Sequence, residues 1–284
     1  MSSLTVCVTA LGTPDYLRAA RQAVLSLLEW TDFQVVLALG RGLDGHIPVH
    51  RRLATVALPD PPDRTRAYRF LAKLEAMHLC SSIADTDLLM MFDGDALAVR
   101  PTSAGEVAHA LGPCGLGMVE QTTLRGTGWG REEFHRHYVE HTLPWLAPGA
   151  TPPPPERFRY YNSGVVAGRR EEWRRLLEWA REEVRTRGGE HRVGEHMIAD
   201  QDYLQHWVNT VRPGCCADLP WQWNHCEHWD RDFPDPRARI LHFSNHCLGP
   251  GRRQPVRMAL ARRAARGGPA APLWWTLVRR LAAR

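Results

Sequence analysis

The chain has 284 residues, 44% of them apolar and 24% charged, enough to bury one large α/β core or two small ones and far from the composition of a disordered or collagen-like chain. The formal charge of +5 is small for this length, and the segment from Gly251 onward is rich in Arg without a single Asp or Glu; a basic tail accounts for the charge, and no nucleic-acid groove is expected. No apolar run reaches the ~18 residues of a membrane-spanning helix. Met1 to Val8 shows no cationic leader followed by a long apolar stretch, so a cytoplasmic protein is expected.

Residues 4 to 9 predict a strand, and Leu17, Ala20, Val24, Leu27 and Leu28 fall on one face of a helix over 17 to 28. Residues 34 to 39 predict a second apolar strand, which completes a β-α-β start. A helix over Leu71 to Leu79 follows, then the run Leu88-Leu89-Met90-Met91-Phe92, short enough for a buried central strand. Strands are also expected over 116 to 120 and 165 to 167, separated by a loop or lid at Pro152 to Pro155. A charged helix over 171 to 187 stops at Gly188-Gly189, and another spans about 200 to 211. Beyond Pro213 lies a Trp-rich loop (Trp221, Trp223, Trp229), and residues 239 to 243 form the last strand. These elements divide the chain into a domain over 1 to 250 and a tail over 251 to 284, the whole an α/β fold whose central, mixed and mostly parallel sheet is flanked by helices. The tail ends in Leu273-Trp274-Trp275-Thr276-Leu277-Val278-Arg279-Arg280-Leu281. Two readings of it stay open: a helix packed on the core, or a segment docked at the inner face of a membrane with its aromatics sunk and its arginines on anionic headgroups.

Chemistry concentrates where the run at 88 to 92 ends in Asp93-Gly94-Asp95. In open α/β sheets ligands bind beyond the carboxyl ends of the strands. Two carboxylates one small residue apart can face one divalent ion, and hard oxygen ligands suit Mg2+ or Mn2+. The seven cysteines form no Cys-x-x-Cys pair, which suits reduced thiols; a zinc cluster of Cys226, His228 and Cys247 is conceivable but has no ligand-spacing motif behind it.

Four pieces in order carry a resemblance. Asp87-Leu88-Leu89-Met90-Met91-Phe92-Asp93-Gly94-Asp95 is an apolar strand closing in Asp-x-Asp; Tyr161-Asn162-Ser163-Gly164-Val165-Val166 follows, with Trp173 behind it; then come Ala199-Asp200-Gln201-Asp202-Tyr203-Leu204, and Leu219-Pro220 with Trp223-Asn224 and Leu241-His242-Phe243. Over residues 4 to 250 this order resembles the GT-A glycosyltransferases, in particular glycosyltransferase family 8 and relatives such as the bacterial lipopolysaccharide galactosyltransferases and glycogenin. The resemblance implies a GT-A (Rossmann-like) fold and hexosyl transfer from a nucleotide-diphosphate sugar, a UDP-sugar, to an acceptor hydroxyl with retention. It also implies Mn2+ or Mg2+ held by Asp93, Asp95 and His242.

The same resemblance sets Thr9, Ala10 and Tyr16 against the nucleoside, Arg66 and Lys73 near the diphosphate or donor sugar, Asn162 and Asp200 on donor hydroxyls, and Gln201 at the reacting centre. Several have a plainer alternative: a core histidine for His242, helix-start packing for Tyr16, a solvated basic face for Arg66 and Lys73, a strand-edge role for Asn162, a helix N-cap for Asp200. The family's Lys-Pro-Trp after the histidine strand is missing, since Phe243 leads instead to Ser244 and then Gly249-Pro250-Gly251-Arg252-Arg253. Arg252 or Arg253 is expected to supply the missing cation. The acceptor is expected to be a saccharide, a lipid-linked glycan or a small molecule; Trp129, Trp145, Trp221, Trp223 and Trp229 either offer it flat apolar faces or serve as ordinary core and interface filler, two readings that stay open. Two rival functions remain: a nucleotidyltransferase, which would share the sheet and metal but carry a Gly-rich basic loop where Thr9-Ala10-Leu11-Gly12-Thr13-Pro14 stands, and a non-catalytic membrane-surface binding protein, for which Asp-Gly-Asp would be a turn.

Overall fold

Strand β1 (Leu4–Ala10) is buried along its whole length, with Leu4, Val6 and Val8 in one apolar cluster and Cys7 in another. That double burial marks the centre of a sheet covered on both faces. The computed structural model describes residues 3–43, 47–59, 66–122, 129–187, 192–193, 195–227, 232–244 and 253–282, and within these the side chains of all but 66–70, 192 and 282. After β1 come α1 (Pro14–Trp30), β2 (Gln34–Leu39), β3 (Leu53–Ala57), α2 (Arg66–Ile83), β4 (Leu88–Asp93), β5 (Ala96–Ala98), α3 (Ala104–Leu111) and β6 (Leu116–Met118). The next stretch holds α4 (Arg131–His137), a π-helical turn (Tyr138–Thr142), α5 (Leu143–Leu146), β7 (Val165–Arg169), α6 (Arg170–Arg187) and the hairpin β8 (Arg192–Val193) and β9 (His196–Met197). Then follow α7 (Asp200–His206), a second π-helical turn (Trp207–Val211), β10 (Cys216–Asp218), a 3-10 turn (Trp221–Trp223), β11 (His225–Cys226), β12 (Ile240–His242), α8 (Gln254–Ala265) and α9 (Ala271–Ala282).

Among the described residues one mixed sheet has seven strands in the order β10-β6-β7-β4-β1-β2-β3. All neighbours are parallel except β7, which runs antiparallel to both β4 and β6. Along β4 the side chains alternate between the two faces: Leu88, Met90 and Phe92 enter the cluster shared with α1, α3 and α8, while Leu89 and Met91 enter the one shared with α2, α6 and α7. A small three-stranded sheet, β11-β12-β5, branches off just after β4 and sets His242 opposite Ala96. That pairing brings a residue from the far end of the sequence beside Asp95.

The structure departs from the sequence-based expectations at several points. The strand expected over 116 to 120 stops at Met118, and Glu120 makes only an isolated bridge with Tyr161. The helix expected over 200 to 211 is α-helical only to His206, then widens into the π turn. Trp221 and Trp223 belong to the 3-10 turn, and Trp145 to α5, not to open loops; Trp223 is buried, with the Arg239 guanidinium 5.3 Å from its ring centre. Trp229 and the Gly188-Gly189 stop lie outside the described residues, although α6 does end at Arg187.

The tail folds into α8 and α9. Met258, Ala261 and Val278 enter the same apolar cluster as β1 and α1, so the packed alternative holds for these helices. Two of the arginines are tied down: Arg257 is buried and pairs with Glu227 at 2.6 Å, and Arg262 reaches Glu29 at 3.3 Å. Among the described residues no helix is long and apolar enough to cross a membrane.

Candidate metal centre

Asp93 closes β4 and Asp95 opens the turn into β5, so both carboxylates stand at the carboxyl end of the buried central strand. His242 is the last residue of β12 and is 2% exposed. Its Nε2 lies 3.3 Å from Asp95 Oδ1 and 3.6 Å from Asp93 Oδ2, and one ligand atom from each of the three residues falls within 4.8 Å of the others. The opposite ring nitrogen, Nδ1, is 3.1 Å from Asn224 Oδ1. A side-chain carbonyl can only accept, so Nδ1 donates to it, and Nε2 is left facing the carboxylates, a donor to Asp95 while protonated and a metal ligand once it gives up that proton. Asn224 is held in turn, because its Nδ2 donates to Asn162 Oδ1 at 2.8 Å. The ligand-orienting chain therefore runs Asn162, Asn224, His242. Two carboxylates and one oriented imidazole are a donor set suited to a divalent cation such as Mn2+.

Two glycines are explained by this packing. A Cβ on Gly164 would stand 2.1 Å from His242 Cε1 and 2.5 Å from its Nδ1, so the Asn-Ser-Gly sequence is what admits the histidine ring. A Cβ on Gly94 would stand 2.8 Å from the Thr9 carbonyl oxygen, so the central residue of Asp-Gly-Asp must be small for the turn to lie against β1.

Lys73, from α2, completes the cluster. Its ammonium is 2.9 Å from Asp93 Oδ1 and 3.1 Å from Asp200 Oδ2. Burial alone would lower the lysine pKa; the charges of Asp200 and Asp93 outweigh it and hold the group well above the usual lysine range. Burial pushes Asp93 up to about 6, with Lys73 pulling the other way and Asp95 adding to the rise. For Asp95 the cost of burial is outweighed by its hydrogen bond with His242, which leaves it below the ordinary value. His242 sits well above its ordinary value, the penalty of burial being overcome by Cys226 and by the Asp95 bond. The two aspartates thus behave as a coupled pair with unequal proton affinity.

The other expected site residues sort as follows. Thr9 is paired in parallel register with Asp93, and Ala10 follows it, so both lie at the strand edge next to the carboxylates. Tyr16 sits half-buried in the first turn of α1. Asn162 is buried and spends Oδ1 on Asn224 and on the Gly164 N–H, so it acts here on the ligand-orienting chain. Asp200 does not cap α7: the N-cap residue is Ala199, whose N–H donates to Asp202 Oδ2 at 2.9 Å, and Asp200 is left to pair with Lys73. The Gln201 side-chain oxygen accepts from Ser163 at 3.3 Å, which ties α7 to the Asn-Ser-Gly segment. The Arg66 side chain, Arg252, His228 and Cys247 lie outside the described residues, and Arg253 is exposed immediately before α8.

Two participants were not anticipated. Asn224 stood in a quoted motif with no role assigned, and only its contact with His242 reveals one. Gln254, the first residue of α8, donates to Asp95 Oδ2 at 3.1 Å and to the Phe243 carbonyl, so the tail reaches the metal centre itself. Nothing in the sequence around Gln254 signals this.

Compared with protein-family models and with curated proteins, the chain matches none.

Proposed function

We propose that this chain is a divalent-metal-dependent glycosyltransferase of the GT-A type, taking a hexosyl group from a UDP-sugar and delivering it to an acceptor hydroxyl with retention. The observation that carries the reading is the convergence of Asp93, Asp95 and His242 at the carboxyl end of a buried central strand. Chain segments almost 150 residues apart meet there in the order the resemblance implies. Mn2+ or Mg2+ held by these three side chains would supply Lewis-acid neutralisation of the charge gathering on a departing nucleoside diphosphate.

The protein's own groups have separable tasks. Thr9 and Ala10, at the end of β1, border the carboxylates and offer backbone and hydroxyl groups to the nucleoside. Lys73 brings a buried, permanently charged ammonium to the same place, where it counters phosphate charge as well as the two aspartates it touches. Asp200 is fixed by that ammonium, and Gln201 by Ser163, which positions both for donor hydroxyls without any movement of α7. Arg253 stands next to Gln254, whose amide contacts Asp95, and is the described cation best placed to replace the lysine that the resemblance leads one to expect.

A thermal-shift series tests the reading. A ligand that binds only the folded state at 100 times its dissociation constant stabilises it by about 2.7 kcal/mol. UDP with Mn2+ is expected to give such a shift, UDP alone a much smaller one, and Asp95→Asn none. An equal shift from UDP with and without Mn2+ would sink the metal-dependent reading. Hydrolysis of a panel of UDP-sugars then identifies the donor, and NMR of the product's anomeric proton decides retention against inversion. Incorporation of a sugar phosphate into a nucleotide sugar would favour a nucleotidyltransferase instead.

A further inference from the structure

A second group of metal-ligating side chains gathers where α4 and its π turn meet the β8–β9 hairpin. His137 and His141 are four residues apart and hence on one face of the helix, and the π turn over Tyr138–Thr142 lies between and around them. Single π turns occur disproportionately at functional sites. The two rings are 4.8 Å apart, centre to centre; His196, from β9, closes the triangle at 4.5 Å from His137 and 5.2 Å from His141. Three imidazoles on one tetrahedral zinc, with Zn–N of about 2 Å, have ring centres about 5 Å apart.

The surroundings complete the arrangement. His196 Nε2 lies 3.2 Å from Asp202 Oδ1, and that carboxylate is itself fixed by Thr142 Oγ1 and by the Ala199 N–H. A carboxylate on the far nitrogen of an imidazole is the usual support of a zinc-binding histidine, and here it leaves Nδ1 of His196 as the ligand atom. Nδ1 of His141 is buried and makes no hydrogen bond among the described residues, a condition that buried polar atoms rarely tolerate. As they stand the rings pack edge to face or tilted and their nitrogens do not converge on one point. A shared metal would require rotation about the Cβ–Cγ bonds, a broad and roughly two-fold torsion in histidine.

We propose that His137, His141 and His196 form a second metal site, selective for a borderline ion such as Zn2+, with Asp202 orienting His196. The all-nitrogen donor set separates it from the carboxylate-rich Asp93 centre, which favours Mn2+ or Mg2+. Bound metal would tie the hairpin to the π turn and brace the first turn of α7, which carries Asp200 and Gln201.

The test uses the full chain stripped of metal, both unaltered and as Asp95→Asn to remove the first centre, titrated with Zn2+ and with Co2+ as a coloured reporter. The expected result is one tightly bound equivalent retained in Asp95→Asn, with the visible absorption of tetrahedral Co2+. His141→Gln, His137→Gln and His196→Gln should each weaken Zn2+ binding by about 100-fold or more, and Thr142→Val by about 10-fold through the freed carboxylate. Circular dichroism of each metal-free variant checks that it folds, and any one folded variant suffices. Failure of the Asp95→Asn protein to take up Zn2+ at micromolar concentration, or equal affinity in a folded histidine variant, overturns the proposal.

Discussion

Gly164→Ala is the sharpest test of how the candidate centre is built, because it alters neither a ligand nor a charge. The added methyl would lie 2.1 Å from His242 Cε1 and 2.8 Å from Asn162 Oδ1, where an ordinary contact needs about 3.5 Å. His242 is 2% exposed and bonded to Asn224, so the ring cannot swing into solvent; it must retreat by more than about 1 Å or β7 must shift. Overpacking of this kind costs about 1–3 kcal/mol. The same displacement pulls Nε2 out of the sphere shared with Asp93 and Asp95, and Mn2+ affinity should fall by about 10-fold to 100-fold, the size of effect seen when a ligand loses its support. Urea unfolding and Mn2+ titration read the two effects separately. In a His242→Ala background the larger obstruction is gone and only the approach to Asn162 Oδ1 remains, so the same Gly164→Ala change should cost less than in the parental chain, the difference being the coupling between the two positions. If Gly164→Ala keeps parental stability and Mn2+ affinity, or costs as much without the histidine as with it, the glycine does not serve to seat that ring.

Three further outcomes follow from the same geometry. Lys73→Met leaves Asp93 and Asp200 without their shared cation and should destabilise the metal-free protein by about 3–5 kcal/mol in urea, with Asp200→Asn in the same chain restoring part of the loss. Gln254→Ala removes a donor from Asp95 and should weaken Mn2+ binding by about 10-fold in a titration, which would show that α8 belongs to the centre. Asp93 is raised to about 6 and His242 above its ordinary value, so protons on both compete with metal: the apparent Mn2+ affinity should rise about a hundredfold per unit below pH 6 and about tenfold per unit just above it, and a profile flat from pH 4.5 to 7 would contradict the argument.

Much of this arrangement was legible in the chain. The apolar runs at 4 to 9, 34 to 39 and 88 to 92 announce buried parallel strands because each strand presents side chains to two packed faces, and Asp93 and Asp95 follow directly from where the third run ends. Short elements were not legible. β5, β10 and β11 are two or three residues long, below the length at which periodicity carries a signal, yet β5 is what sets His242 beside Asp95. The π turns were invisible for a related reason, since widening the helix at Trp207–Val211 changes the face presented but not the apolar content. Asp202 shows how one motif divides its labour: in Asp-Gln-Asp the second aspartate closes the helix start, and this frees the first for Lys73. Composition left two readings of the tail open, and packing decides between them for α8 and α9. Its arginines suggested a separate basic segment, whereas Arg257 is buried against Glu227 with its guanidinium 5.3 Å from the centre of the Phe243 ring.

Lys73 also constrains how the centre could take up an ion. Its ammonium lies within 3.2 Å of both Asp93 oxygens, so one oxygen can be released to a cation while the other keeps the lysine. Without that ammonium, Asp93, Asp95 and Asp200 would bring three carboxylates together in a largely buried space, and protonation would relieve the repulsion at the expense of metal affinity. With it, Asp95 stays ionised through His242 while Asp93 is only partly protected, which places the weaker ligand next to the cation that can follow it. The lysine thus supplies part of the electrostatic compensation that a divalent ion held by Asp93, Asp95 and His242 would provide. Such an ion would share Asp93 with Lys73, whose other contact is Asp200.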